Sequence, residues 1–142
     1  MDEVVIDASL ALNFLIPQHP YYQQTRRFFV DYAAYELIAP ALYEAEADSN
    51  LLKMIVINNF SSSAATAART LLRQLPVTIK YNSQIREIAW DIAETIGVRK
   101  IYDSTYAALA QFYHCEFWTA DKKFHHAAHN QLPFVRFIGD YK

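Results

Sequence analysis

Val4-Val5-Ile6-Asp7-Ala8-Ser9 reads as a buried strand that ends on a carboxylate and turns into a helix. Three β-branched residues in a row, apolar without alternation, mark a strand covered on both faces, as in a parallel sheet. Asp7 continues that strand, and a buried carboxylate is costly unless something compensates it. Ser9 stands where it can cap the helical stretch from Leu10 to Leu15, which Pro17 then stops.

Outward from this segment, the same kind of run recurs at Leu37-Ile38-Ala39, Val77-Thr78-Ile79, Glu116-Phe117-Trp118 and Phe134 to Ile138. Helical periodicity fills the intervals. Tyr22, Thr25, Phe28 and Tyr32 recur at three and four residues, and a second pattern opened by Pro40 runs through Leu42, Ala45, Ser49, Leu52 and Val56. Ser61-Ser62-Ser63 can cap a helix from Ala64 to Gln74, Gly97 closes one from Ser83 to Ile96, and an Ala-rich helix runs from Tyr102 to Phe112. A short helix follows over Phe124 to His129. Strands alternating with helices predict an α/β fold, a three-layer α/β/α arrangement around a central parallel sheet of about five short strands. Residues 1–142 read as a single domain.

Composition narrows the chemistry. A chain of 142 residues that is 53% hydrophobic and 15% aromatic buries a full core and is not disordered. Its two glycines cannot build a Gly-rich phosphate cradle, which argues against nucleotide-cofactor enzymes. One cysteine allows neither an internal disulfide nor a cysteine zinc cluster. No run approaches the roughly eighteen apolar residues of a membrane span, and the acidic Asp2-Glu3 start is unlike a secretory signal; a cytoplasmic protein with no membrane partner is expected. The net charge of −2 gives no global attraction to nucleic acid. Such a partner would have to meet local basic pairs, Arg26-Arg27, Arg99-Lys100 or Lys122-Lys123, each of which read alone is solvated surface.

Asp7 and Asp121 both follow strands, Glu44 lies in the first turn of the helix after the second strand, and Asp103 starts the Ala-rich helix. In an open parallel sheet those positions gather at the carboxyl edge. Any one of them is an ordinary helix-capping or first-turn acid. Together they supply hard oxygen ligands suited to Mg²⁺ or Mn²⁺, an ion that can activate water against a phosphodiester.

The segments Val4 to Ser9, Pro40-Ala41-Leu42-Tyr43-Glu44, Tyr102 to Ala110 with Asp103 at its head, and Trp118-Thr119-Ala120-Asp121 resemble, in order, the motifs of the PIN-domain family. The likeness is strongest to the VapC-like toxins of toxin–antitoxin pairs. It covers essentially the whole chain and implies a Mg²⁺- or Mn²⁺-dependent endoribonuclease acting on RNA. It further implies a homodimer, inhibited by a small antitoxin protein. By motif, Asp7, Glu44, Asp103 and Asp121 take the metal-site roles. Thr119, and after it Ser9, take supporting roles, the Thr119 hydroxyl orienting a carboxylate or a bound water. Glu46 is the runner-up to Glu44. The family often has Asn where Ala47 stands and Ser or Thr where Lys100 stands, so Lys100 either faces the substrate phosphate or has no role.

Other readings stay open. A PIN-like binding or regulatory module with little or no nuclease activity fits the mild acidity and the lack of a basic stripe. A phosphate-accepting receiver domain is disfavoured, because its acid pair should follow the first strand and Asp2-Glu3 precede it. His125 and His129 stand at i, i+4 but lack a third zinc ligand nearby, and read as a polar helix end. Cys115 reads as a small buried residue.

Overall fold

The computed structural model describes residues 2–142. Its strands are β1 (Glu3–Ile6), β2 (Glu36–Ala39), β3 (Val77–Ile79), β4 (Phe117–Thr119) and β5 (Val135–Phe137). They form one sheet in the order β3-β2-β1-β4-β5, and every pairing is parallel. The helices are α1 (Ala8–Leu15), α2 (Tyr22–Asp31), α3 (Leu42–Ile57), α4 (Ser62–Gln74), α5 (Ile85–Ile96), α6 (Tyr102–Tyr113) and α7 (Lys122–Ala128), with a 3-10 turn at Ile138–Asp140.

The pleat of the central strand divides the interior. Val5 enters one core with Ile38, Phe117 and Val135, against Ala8 and Leu12 of α1, Ala47 and Leu51 of α3, and Ala107 to Ala110 of α6. Val4 and Ile6 enter the other with Leu37, Trp118, Phe28 of α2 and Ile138 of the terminal turn. Alternate residues of a strand face opposite sides of the sheet, so a three-residue apolar run requires cover on both. That is the α/β/α arrangement the apolar strands imply. Ala107, Ala108 and Ala110 are fully buried, and their small side chains let α6 pack closely on the sheet and on α5.

Several helix ends follow the sequence. Ser61 caps α4 by accepting a hydrogen bond from the Ala64 amide at 3.1 Å, and Gly97 ends α5 in the left-handed conformation at φ +77°. Two expectations need correction. The cap of α1 is Asp7, whose side chain accepts from the Leu10 amide, and Ser9 lies inside the helix. The buried stripe of α3 is Tyr43, Ala47 and Leu51; Leu52 and Val56 are 63% and 69% exposed. The buried face of the helix therefore lies nearly opposite the expected stripe, roughly 170° around the axis.

From β1 the chain steps outward through β2 and β3, then returns to the other side of β1 for β4 and β5. The order reverses between β1 and β4. A crevice opens beyond the carboxyl ends of strands at such a point, and in this architecture ligands bind there.

Candidate functional site

Asp7 leaves β1 at this crevice with extended backbone and begins α1. It is 3% exposed. Its Oδ1 accepts from the Ser9 hydroxyl at 2.6 Å and from the Leu10 amide at 3.0 Å, while Oδ2 accepts from the Thr119 hydroxyl at 2.5 Å. The Thr119 and Ser9 oxygens accept in turn from the Asp121 amide at 2.9 Å and the Ala120 amide at 3.1 Å. These bonds tie the turn after β1 to the turn after β4. The Thr119 and Ser9 hydroxyls both donate to the Asp7 carboxylate, one to each oxygen.

Asp121 caps α7, its Oδ1 accepting from the Phe124 amide at 3.0 Å. Asp103 lies in the first turn of α6 and feels the charges of Asp7, Asp121 and Glu46. Glu46 acts electrostatically on both Asp7 and Asp103, and its Oε1 accepts from the Tyr106 hydroxyl at 2.7 Å. Tyr106 is fully buried and stacked on Phe117, which fixes the direction from which Glu46 is held.

Glu44 does not join this group. It is exposed and lines a groove with Tyr43, Asp48 and Arg73. Residues two apart on a helix point roughly 200° from each other, so only one of Glu44 and Glu46 can face the crevice. The one that does is Glu46. Tyr106 was missed altogether, although its place one turn after Asp103 on the same helix was a readable signal.

The electrostatics show what this convergence costs. Burial pushes the Asp7 carboxyl up to about 6, with Glu46 adding to the rise while the hydrogen bonds from Ser9, Thr119 and Leu10 oppose it. Burial first, then the charges of Asp7 and Asp121, hold Asp103 well above the usual carboxylate range. Burial, and after it the charges of Asp7, Asp48 and Glu44, push the Tyr43 hydroxyl up to about 12, and burial together with Glu46 raises Tyr106 further. A divalent cation relieves this repulsion. A carboxylate offers about four acceptor positions, and the three bonds to Asp7 leave one, on Oδ2. The donor set of hard oxygens fits Mg²⁺ or Mn²⁺. Among the described residues no three His, Cys, Asp or Glu side chains already stand in metal-ligating geometry.

Two other groups are accounted for structurally. His129 Nδ1 lies 3.2 and 3.1 Å from the carbonyl oxygens of His125 and His126, and the His125 ring stacks between His129 and Phe137. Burial lifts the Cys115 thiol to about 11, too high for a thiolate nucleophile at neutral pH.

The chain resembles known proteins over almost its whole length. A VapC ribonuclease of Mycobacterium bovis and ribonuclease VapC9 of Mycobacterium tuberculosis are each 28% identical to it over 132 residues, 93% of this chain and 96% of theirs. Among solved structures, PAE2754 of Pyrobaculum aerophilum superposes with a TM-score of 0.65 at 18% identity, covering 97% of this chain and 92% of that one. VapC20 of Mycobacterium tuberculosis, described as a sarcin-ricin loop cleaving toxin, superposes with a TM-score of 0.60 at 15% identity, covering 94% and 98%. These likenesses support the three-layer fold. The sequence model of the PIN domain matches residues 4–130, and with that match spanning nearly all of the sheet and every acid of the crevice, the chain belongs to the PIN domain family.

Proposed function

We propose that this protein is a divalent-metal-dependent endoribonuclease, the toxin of a toxin–antitoxin pair, acting in the cytoplasm as one domain over residues 1–142. The observation that carries the reading is the meeting of Asp7, Glu46, Asp103 and Asp121 at the β1/β4 crevice. These four are the residues to hold Mg²⁺ or Mn²⁺. When bound, such an ion lowers the pKa of a coordinated water and offsets charge developing on the phosphate. Asp7 supplies the fixed carboxylate, indexed by Ser9 and Thr119 across the crevice. Glu46 is aimed by Tyr106. Asp103, on which the charges of Asp7, Asp121 and Glu46 act, would gain most from a bound cation and would complete the ligand set. Hydrolysis then breaks the phosphorus–oxygen bond to the leaving nucleotide.

The names of the mycobacterial relatives support RNA as substrate, and the description of VapC20 as a toxin supports a small antitoxin as partner; a second copy of the chain as partner rests on the family resemblance of the sequence motifs. Cleavage of structured RNAs with Mg²⁺ or Mn²⁺, and its loss in EDTA and in Asp7→Asn and Asp103→Asn, is the test. Cleavage that survives both substitutions and EDTA removes the reading. A binding module without catalysis is favoured by one observation, the lack of a ready-made three-ligand group among the described residues. It predicts metal or partner binding by a chain that turns over no RNA.

A further inference from the structure

The opposite edge of the sheet, where the strands begin, carries a cavity of about 540 Å³ that the acid site does not use. Its walls include Asp2, Glu3 and Glu116 and the rings of Tyr32, Tyr35 and Tyr113, with no Lys or Arg among them. The fold fixes this frame. The Asp2 carbonyl accepts from the Glu36 amide at 2.8 Å, and the Glu116 carbonyl accepts from the Val5 amide at 2.9 Å, so β2 and β4 hold both flanks of β1 where it starts. His114 takes the left-handed conformation at φ 55°, which ends α6 and turns the chain into β4. Phe28, Tyr32 and Tyr35 form a run of rings from the core outward, with centroids 4.4 and 4.6 Å apart, and Tyr35 at its end is 37% exposed.

The charges of this edge are unbalanced. Glu116 is satisfied internally, accepting from the Tyr32 hydroxyl at 2.9 Å, the Trp118 indole at 3.1 Å and Arg136 at 2.9 Å. Glu3 and Glu36, neighbours across the β1/β2 register, share a single cation, Lys80, at 3.9 and 3.3 Å. Among the described residues Asp2 pairs with none. Lys80 also shows what this edge holds, because its Nζ lies 5.8 Å from the centroid of the Tyr113 ring while it pairs with the two carboxylates. An aromatic face attracts an alkyl ammonium and packs against its methylene chain, neither of which a hydrated metal ion offers. Nor do the carboxylates at this edge converge in metal-ligating geometry.

We propose that this cavity binds a linear alkyl polyamine, with an ammonium group paired to Asp2 and Glu3 and the methylene chain laid along Tyr35 and Tyr32. Acids separated by ring faces match amines separated by methylenes. Glu3 and Asp7 stand at opposite ends of β1, about 13 Å apart at the rise of an extended strand. The polyamine site is therefore distinct from the crevice acids and does not rest on the ribonuclease reading.

The test is amide NMR of the full chain titrated with spermidine in metal-free buffer at low salt, with affinities from calorimetry. The amides of Asp2, Glu3, Tyr35 and Glu116 are expected to shift and to saturate at one spermidine per chain, and to do so equally in Asp7→Asn with Asp103→Asn. Asp2→Asn with Glu3→Gln should weaken binding about 2- to 30-fold, for two exposed charge pairs. Tyr35→Leu should weaken it about 2- to 5-fold, with Tyr35→Phe restoring it. Mg²⁺ at the same concentration of charge should leave spermidine in place. Shifts confined to the amides around Asp7, Asp103 and Asp121, or lost in the Asp7 and Asp103 double variant, would assign the polyamine to the crevice acids and overturn the proposal. Cavity variants that bind like the unsubstituted chain, or displacement by Mg²⁺ at equal charge, would overturn it as well.

Discussion

Thr119 and Tyr106 each donate a hydroxyl to a site carboxylate from a fully buried position, so their substitution separates holding an acid from supplying one. Thr119→Val leaves Asp7 Oδ2 and the Asp121 amide without partners, and a loss of about 1–3 kcal/mol in urea denaturation is expected, with Thr119→Ser close to wild type. Tyr106→Phe keeps the stack on Phe117 and removes the bond to Glu46. Calorimetric Mn²⁺ titration should show affinity lower by about 10- to 100-fold, as for other groups that orient a ligand. Glu46→Gln should weaken Mn²⁺ binding and Glu44→Gln should not; the reverse order would restore Glu44 to the site. The raised acids also set a pH dependence. Native Asp7, near 6, and Asp103, also raised, hold protons that the unfolded chain has already lost, so the metal-free protein loses stability as pH rises from about 4 through 6 and beyond. Thermal denaturation in EDTA should show Tm falling over this range, with Asp103→Asn flattening its upper part. A level or rising Tm would count against the crowding of acids.

At the scale of elements, the phase of α3 decides which acid faces the crevice. Leu51→Ala should cost about 2–5 kcal/mol, and Leu52→Ala, on the exposed side, within about 0.5 kcal/mol; equal costs would contradict the observed phase. The strands were legible because a buried parallel strand is a bare apolar run, as at Val4 to Ile6, with no phase to mistake. Helices demand a phase as well as a location. α3 carries apolar residues at both Leu51 and Leu52, and at Ile55 and Val56, so more than one stripe fits the same sequence. Glu44 was expected by motif, with Glu46 its runner-up, and it is Glu46 that acts on Asp7 and Asp103. Ser9 shows a similar ambiguity, since Asp7 is equally able to cap and the strand's end decided between them. Tyr106 stayed unread because its partner lies 60 residues away on another helix.

For the whole molecule, the parallel order with β1 at the centre sets the ends of β1 and β4 side by side, so that Thr119 links Asp7 to the turn that carries Asp121, while Glu46 and Asp103 act on this edge through their charges. Asp7, Asp103 and Asp121 were legible as a set because strand ends and helix starts share an edge in any such sheet. The same sheet gives the site its rigidity, through Thr119 at the end of β4 bonded to Asp7 at the end of β1. Whether this assembly is a metal centre is best decided by anomalous diffraction from a crystal soaked in Mn²⁺. A manganese peak among the carboxylates of Asp7, Glu46, Asp103 and Asp121 is the expected result. No peak at the β1/β4 crevice under saturating Mn²⁺, or a peak ligated by Glu44, would contradict it.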